Sequence, residues 1–258
     1  MTASHPYETL DDVVAGLASW EERFRRAQDR RCIFLTLYGI VSTEMRARVA
    51  RRAFADSEWV HRYAVAFANL YREALENFEA GRLDAVPNAW RLCFTAAKAG
   101  TGLVLQDMFL GVNAHVNNDL PLALFSISID PDRDARYRDH AAVNAVLGAV
   151  TESASQRISQ LYAPGLVAMD DCAGDLDEIL SQFSLDVARQ SAWEAAVSLS
   201  NARTVLERGL VQQVLGSRAA LMARLLLAPS VSPRFIQGCR ACEAGPGWLT
   251  FVAAIARG

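Results

Sequence analysis

The chain has 258 residues, of which 52% are hydrophobic and 21% charged, with a formal net charge of −3. That composition can bury a sizeable core, which excludes a disordered chain, and its slightly acidic balance offers no basic face for nucleic acid. No apolar run reaches the ~20 residues of a bilayer span, and the first eight residues lack a basic stretch followed by an apolar one. A cytoplasmic protein without membrane insertion is therefore expected.

Helical periodicity dominates in chain order. Thr9 reads as a cap, with Asp11 and Asp12 in the first turn, where carboxylates favour the positive end of the helix dipole. Leu10, Val13, Val14, Leu17, Trp20 and Phe24 then recur at helical spacing. Asp29-Arg30-Arg31 reads as a solvated junction. A second helix is predicted over Cys32–Phe54. Asp56 caps a third running to about Glu79, and another spans Asn88–Ala99. Trp59, Phe67, Tyr71 and Trp90 are expected in the core. Gly100-Thr101-Gly102 breaks the chain before a central helix from Leu103 to about Asn118. Pro121 lacks an N–H and should end or kink that helix. Leu122–Ile129 is apolar, either a helical turn or a short extended segment, and Asp130-Pro131-Asp132 is a turn.

A long helix follows from Arg133 to about Tyr162. The acidic run Asp170, Asp171, Asp175, Asp177 and Glu178 is expected to cap a helix rather than hold metal. Leu176–Ala228 suggests two helices divided near Ser200-Asn201. Residues 229–247 read as an irregular tail rich in Pro and Gly, and 248–256 as a closing helix. The five cysteines are scattered and odd in number, which argues against a disulfide framework. Cys239 and Cys242 have CxxC spacing but lack a second ligand pair for zinc. There is no internal repeat or linker. The expected architecture is all-α: a single domain over 1–258, a multi-helix bundle around a central buried helix of about 103–118.

The chemistry concentrates in Gln106–Pro121. On a helix, Asp107, Gly111, His115 and Asn118/Asp119 share one face. Leu103, Val104, Leu105, Met108, Phe109, Leu110, Val112 and Val116 cover nearly every other direction, and a helix apolar all round is buried. Its polar stripe must then be satisfied, because a buried unpaired polar group costs about 1–3 kcal/mol. Gly111 costs about 1 kcal/mol relative to Ala, so its return should be space for a ligand or for a close helix crossing. A second stripe on the helix from Arg133 carries Arg136, Tyr137, His140, Asn144 and Gly148. If the two helices pack antiparallel, His115 and Asp119 face His140 and Asn144 across one cavity.

Together, Asp29-Arg30, Asp56-x-x-Trp59, Ala89-Trp90, the segment from Gln106-Asp107 through Asn113-Ala114-His115-Val116-Asn117-Asn118-Asp119-Leu120-Pro121, and Arg138-Asp139-His140 with Val143-Asn144 resemble an uncharacterised all-helical bacterial family. It is a domain of unknown function common in actinobacteria, and the likeness covers roughly residues 29–150. It implies no particular activity but supports treating 106–144 as one unit. A weaker likeness, through a His-x-x-x-Asp pair on a helix, is to the helical zinc-dependent phospholipases C and P1-type nucleases. Those use about five histidines and an N-terminal Trp ligand, which this chain does not match.

The leading expectation is an enzyme acting on a small, largely apolar molecule in an internal pocket, without a cofactor. His115, Asp119 and His140 would be catalytic, with His115 the general acid–base group. Asp107, Gly111, Asn113, Asn117, Asn118, Tyr137 and Asn144 would contact substrate. Neutral amides in an apolar pocket suit polarisation of a carbonyl or enolate, which fits cyclisation, isomerisation, dehydration or hydrolysis, in the specialised metabolism of a bacterium. One alternative is a hydrolase with a single divalent metal ion held by His115, Asp119 and His140. Another is a non-catalytic ligand-binding protein. A homodimer through the apolar C-terminal segment is also an expectation. No phosphate-binding glycine loop or nucleophile elbow is present.

Overall fold

A computed structural model of the chain describes residues 5–100, 102–164, 185–228 and 233–244. All regular structure among them is helical. Helix α1 (Leu10–Arg26) opens on a capping box in which Thr9 and Asp12 satisfy each other's backbone N–H groups. α2 (Cys32–Ala50) is apolar on nearly all sides in its first half. It stops short of the expected Phe54: the chain turns at Arg52, with φ of 54°, and Phe54 tucks into the core instead. α3 (Ser57–Glu79) starts where the Asp56 side chain accepts from the Trp59 N–H at 2.8 Å. α4 (Asn88–Ala99) ends on Gly100, whose φ of 64° suits a residue without a Cβ.

The central helix does not end at Asn118. α5 (Val104–Asn113) passes into a π-helical stretch, Ala114–Asp119, and continues as α6 (Leu120–Ser126). Within the widened stretch the Leu120 N–H bonds the His115 carbonyl, five residues back. The shift of register accommodates Pro121, which has no N–H to give in an ordinary α turn. Pro121 thus sits in the first turn of α6, a position it tolerates.

α7 (Arg133–Tyr162), α8 (Leu185–Asn201) and α9 (Val205–Leu227) follow, with α8 and α9 divided at the expected place. The tail expected to be irregular contains a helix, α10 (Pro233–Ala244); proline fits a first turn, so Pro233 did not forbid it. The predicted closing helix and the Asp170–Glu178 run lie outside the described residues.

The central run is the hub, packing against α2, α3, α4, α8 and α9. Two apolar clusters flank it. One gathers α1, α2, α3 and α4 around Leu35, Tyr71, Trp90 and Leu110. The other joins α3, α6, α7 and α8 around Trp59, Leu120, Val143 and Trp193. The long helix α7 packs chiefly on α2 rather than as an antiparallel neighbour of the central run. Asp29-Arg30-Arg31 is not a solvated junction either: Arg31 is buried between Asp29 (2.6 Å) and Glu79 (2.7 Å), and Arg30 reaches Asp107 at 2.6 Å.

Candidate active site

The π-helical stretch carries the site. Such insertions re-aim side chains and recur at functional positions. Here His115 leaves the central run toward α2 and α3. Its Nδ1 lies 3.1 Å from Asp119 Oδ2. A carboxylate only accepts, so Nδ1 carries the proton and Nε2 presents its lone pair. Asp119, also buried, is held by two further donors: the Trp90 indole N–H at Oδ2 (2.8 Å) and the Asn118 side-chain amide at Oδ1 (2.8 Å). The carboxylate is thus fixed from α4 as well as from its own helix.

An aromatic box surrounds the imidazole. Phe67 of α3 stacks on it, with centroids 3.5 Å apart and planes 6° from parallel. Tyr38 of α2 meets it edge-on at 4.5 Å. Burial pushes the His115 pKa below the usual histidine value, and the Asp119 hydrogen bond only partly opposes this. The ring is therefore neutral at neutral pH. Its Nε2 is buried and has no hydrogen-bond partner among the described residues.

His115 lies on the wall of a cavity of about 540 Å³, within the range of small-molecule sites. Its walls come from α1, α2, α3, the central run, α7 and α8, and are largely apolar, with Leu37, Val41, Met108, Val112 and Leu147 among them. Tyr38, Tyr63 and Arg189 add polar groups to the same wall. Burial, followed by the charge of Asp119, raises the Tyr38 phenol well above its ordinary pKa, so it stays an O–H donor.

Residues 10–229 match the sequence pattern of a family of unknown function, DUF5995. The chain belongs to this family. No curated protein and no solved structure matches it.

This DUF5995 chain brings together only part of the expected site. His115 and Asp119 are joined as the i,i+4 spacing implies. His140 is not with them. It is buried one layer behind the cavity wall, where its Nε2–H donates to the Arg189 carbonyl (3.1 Å) and its Nδ1 faces Arg189 Nη2 (3.4 Å) and the Tyr63 hydroxyl (3.5 Å). Both ring nitrogens are occupied, and burial with the adjacent Arg189 charge pushes its pKa down to about 3. His140 therefore orients neighbours and is not placed for proton transfer. Among the described residues no group of three or more His, Cys, Asp or Glu gathers as metal ligands, and His115, Asp119 and His140 do not converge.

None of the seven residues expected to contact substrate lines the cavity. Asn113 donates to the Ala219 carbonyl of α9 (2.9 Å) and accepts from Asn117 (2.9 Å), while Asn118 donates to Asp119, so Asn113 ties the central run to α9 and the other two amides bond within their own segment. Asp107 pairs with Arg30, and Tyr137 bonds Gln190 at 2.6 Å on the outer surface. Gly111 provides a close crossing rather than ligand space, since a Cβ there would overlap the Phe34 ring. Asn144 accepts from Arg189 Nε at 2.7 Å.

Tyr38, Tyr63 and Arg189 on the wall are absent from the expected site, and Phe67 on the wall and Trp90 behind Asp119 are expected only as core. One signal pointed to Trp90: a buried indole N–H needs an acceptor, and the central helix supplies buried carboxylates. Nothing in the local pattern distinguished the others from core or surface positions.

Proposed function

We propose that the protein is an enzyme acting on a small, largely apolar molecule in this cavity, with His115 as general base and Asp119 holding its tautomer. The observation that carries this reading is the free Nε2 of His115. A purely structural histidine would leave about 1–3 kcal/mol of unmet hydrogen bonding there, whereas a reacting C–H or O–H of a bound substrate would meet it. The depressed pKa keeps the ring in its base form at neutral pH. Tyr38, a protonated phenol on the same wall, is suited to donate to the oxyanion that develops when the base removes a proton. Isomerisation, cyclisation, dehydration and water activation for hydrolysis all use this pairing. Specialised bacterial metabolism is the setting that fits such a pocket.

Among the described residues no helix is long and apolar enough to cross a membrane. Cys32 and Cys93 are buried and in no disulfide among the described residues, which fits a reducing compartment such as the cytoplasm. The decisive experiment offers the protein a panel of apolar enolisable ketones, polyenes and esters and follows each by mass spectrometry. Wild type should convert at least one, and His115→Gln should slow that conversion by about 10²–10⁴-fold while binding persists. Binding without conversion by wild type would make the protein a carrier, and equal conversion by His115→Gln would remove the histidine from the chemistry.

A further inference from the structure

Arg189 of α8 is buried, with 4% of its surface exposed, and lies on the wall of the same cavity. Every partner it has among the described residues is neutral. Its Nε–H donates to Asn144 Oδ1 (2.7 Å) and its Nη2 donates to the His140 carbonyl (2.6 Å). Its Nη1 lies 3.5 Å from the Tyr63 hydroxyl, and its Nη2 also faces His140 Nδ1 at 3.4 Å. The two short bonds fix the guanidinium, and the two long ones leave donor capacity on Nη1 and Nη2. No carboxylate among the described residues pairs with it, although most of the chain's other buried or half-buried arginines have one: Arg30 has Asp107, Arg31 has Asp29 and Glu79, and Arg136 has Asp56.

A buried charge without a counter-charge is costly, and proteins normally neutralise it with an ion pair. Asp186, three residues before it, is exposed, and Asp139, beside His140, is committed elsewhere, accepting the backbone N–H groups of Ala55 and Asp56 at 2.8 Å each. Glu152, the other charged residue on the cavity wall, is exposed and accepts from Gln156. The remainder of the wall near Arg189 is apolar or aromatic, with Tyr63, Phe67, Val116 and Val143. His140, in turn, is held neutral beside the guanidinium, so it does not compete for an anion.

We propose that Arg189 and Tyr63 form an anion subsite and that the cavity's ligand is an apolar molecule carrying one carboxylate. The carboxylate takes the unused N–H groups of Arg189 with the Tyr63 hydroxyl, and the apolar body runs along Phe67, Val112 and Val143 toward His115. Asn144 and His140 are positioning residues for the guanidinium. This deepens the catalytic reading above by naming the substrate class, and it rests on that reading only for the use of the cavity.

The test displaces a neutral fluorescent reporter, N-phenyl-1-naphthylamine, with matched ligands of one chain length, decanoate and decanol, at pH 8. Wild type should bind the reporter and prefer decanoate by at least about tenfold, the scale of a charge-assisted hydrogen bond. Arg189→Met should abolish that preference while leaving decanol competition unchanged, and Arg189→Lys should retain part of it. Equal competition by acid and alcohol in wild type overturns the proposal whether or not the variants fold. So does an acid preference that survives in Arg189→Met, or failure of the reporter to bind. The catalytic reading fails separately: an acid preference in wild type together with unchanged turnover in His115→Gln keeps the subsite and discards the base.

Discussion

Phe67 lies flat on the His115 imidazole, 3.5 Å between centroids and within 6° of parallel, so one face of the base is sealed from water by an α3 side chain. Burial is the largest influence on the His115 pKa and pushes it down. Phe67→Ala should therefore raise the histidine's pKa toward the ordinary value, read as the midpoint of its imidazole carbon resonances in an NMR titration. A midpoint that stays put would show that other walls, not Phe67, keep the ring dry.

Asp119 sets which nitrogen of His115 is free. Asp119→Asn can offer an N–H toward Nδ1 and favour the wrong tautomer. Turnover of whichever panel substrate wild type accepts should fall by about 10²-fold or more. Trp90→Phe removes one donor from the carboxylate and should cost about 1–3 kcal/mol in denaturant unfolding, with a smaller loss of turnover. The reverse ranking of the two variants in turnover would contradict the assignment of Asp119 as orienting group.

Gly111 and Gly148 look alike in the sequence and should respond oppositely to alanine. A Cβ at Gly111 meets the Phe34 ring, which lies against the cavity and edge-on to His115, 5.8 Å between centroids. Overpacking of about 1–3 kcal/mol offsets the helical gain of about 1 kcal/mol, so Gly111→Ala should lower the Tm and weaken reporter binding. A Cβ at Gly148 meets nothing within 4 Å, and Gly148→Ala should raise stability by up to about 1 kcal/mol. Thermal melts of the two variants side by side decide this.

Both buried histidines make the fold acid-sensitive. Their folded pKa values lie below the usual 6.5, His140 at about 3. The unfolded chain therefore binds protons that the folded chain refuses, and stability rises with pH across that window. It should be complete above about pH 6.5 and decline below it, by up to about 1.4 kcal/mol per pH unit for each histidine. His140→Gln should flatten the fall in Tm between pH 6.5 and 4.5, and an undiminished slope would assign the acid sensitivity to other groups. Turnover through His115 should be level across neutral pH and drop only at acid pH, where the ring charges.

Much of the helix plan was legible locally. The capping chemistry of Thr9 and Asp56 and the punctuation at Gly100 set helix ends that the backbone keeps. The His115–Asp119 pair was legible too, because four residues along a helix is contact distance. Pro121 misled, since its local preference is to stop a helix and only the π-helical widening, which the surrounding helices pack around, lets the run continue.

What the sequence determined by itself, then, is the all-helical class, most helix boundaries and the one dyad made within a single helix, all properties of near neighbours along the chain. The tertiary structure decided which polar residues face empty space. Asn113, Asn117 and Asn118 share a segment with His115 yet turn to α9, Asn113 and Asp119 respectively, while Phe67, Tyr63 and Arg189, between 48 and 74 positions away from His115, complete the cavity wall. Helical period gives the direction of a side chain relative to its own axis, but what lies in that direction depends on how long-range apolar packing has arranged the other helices.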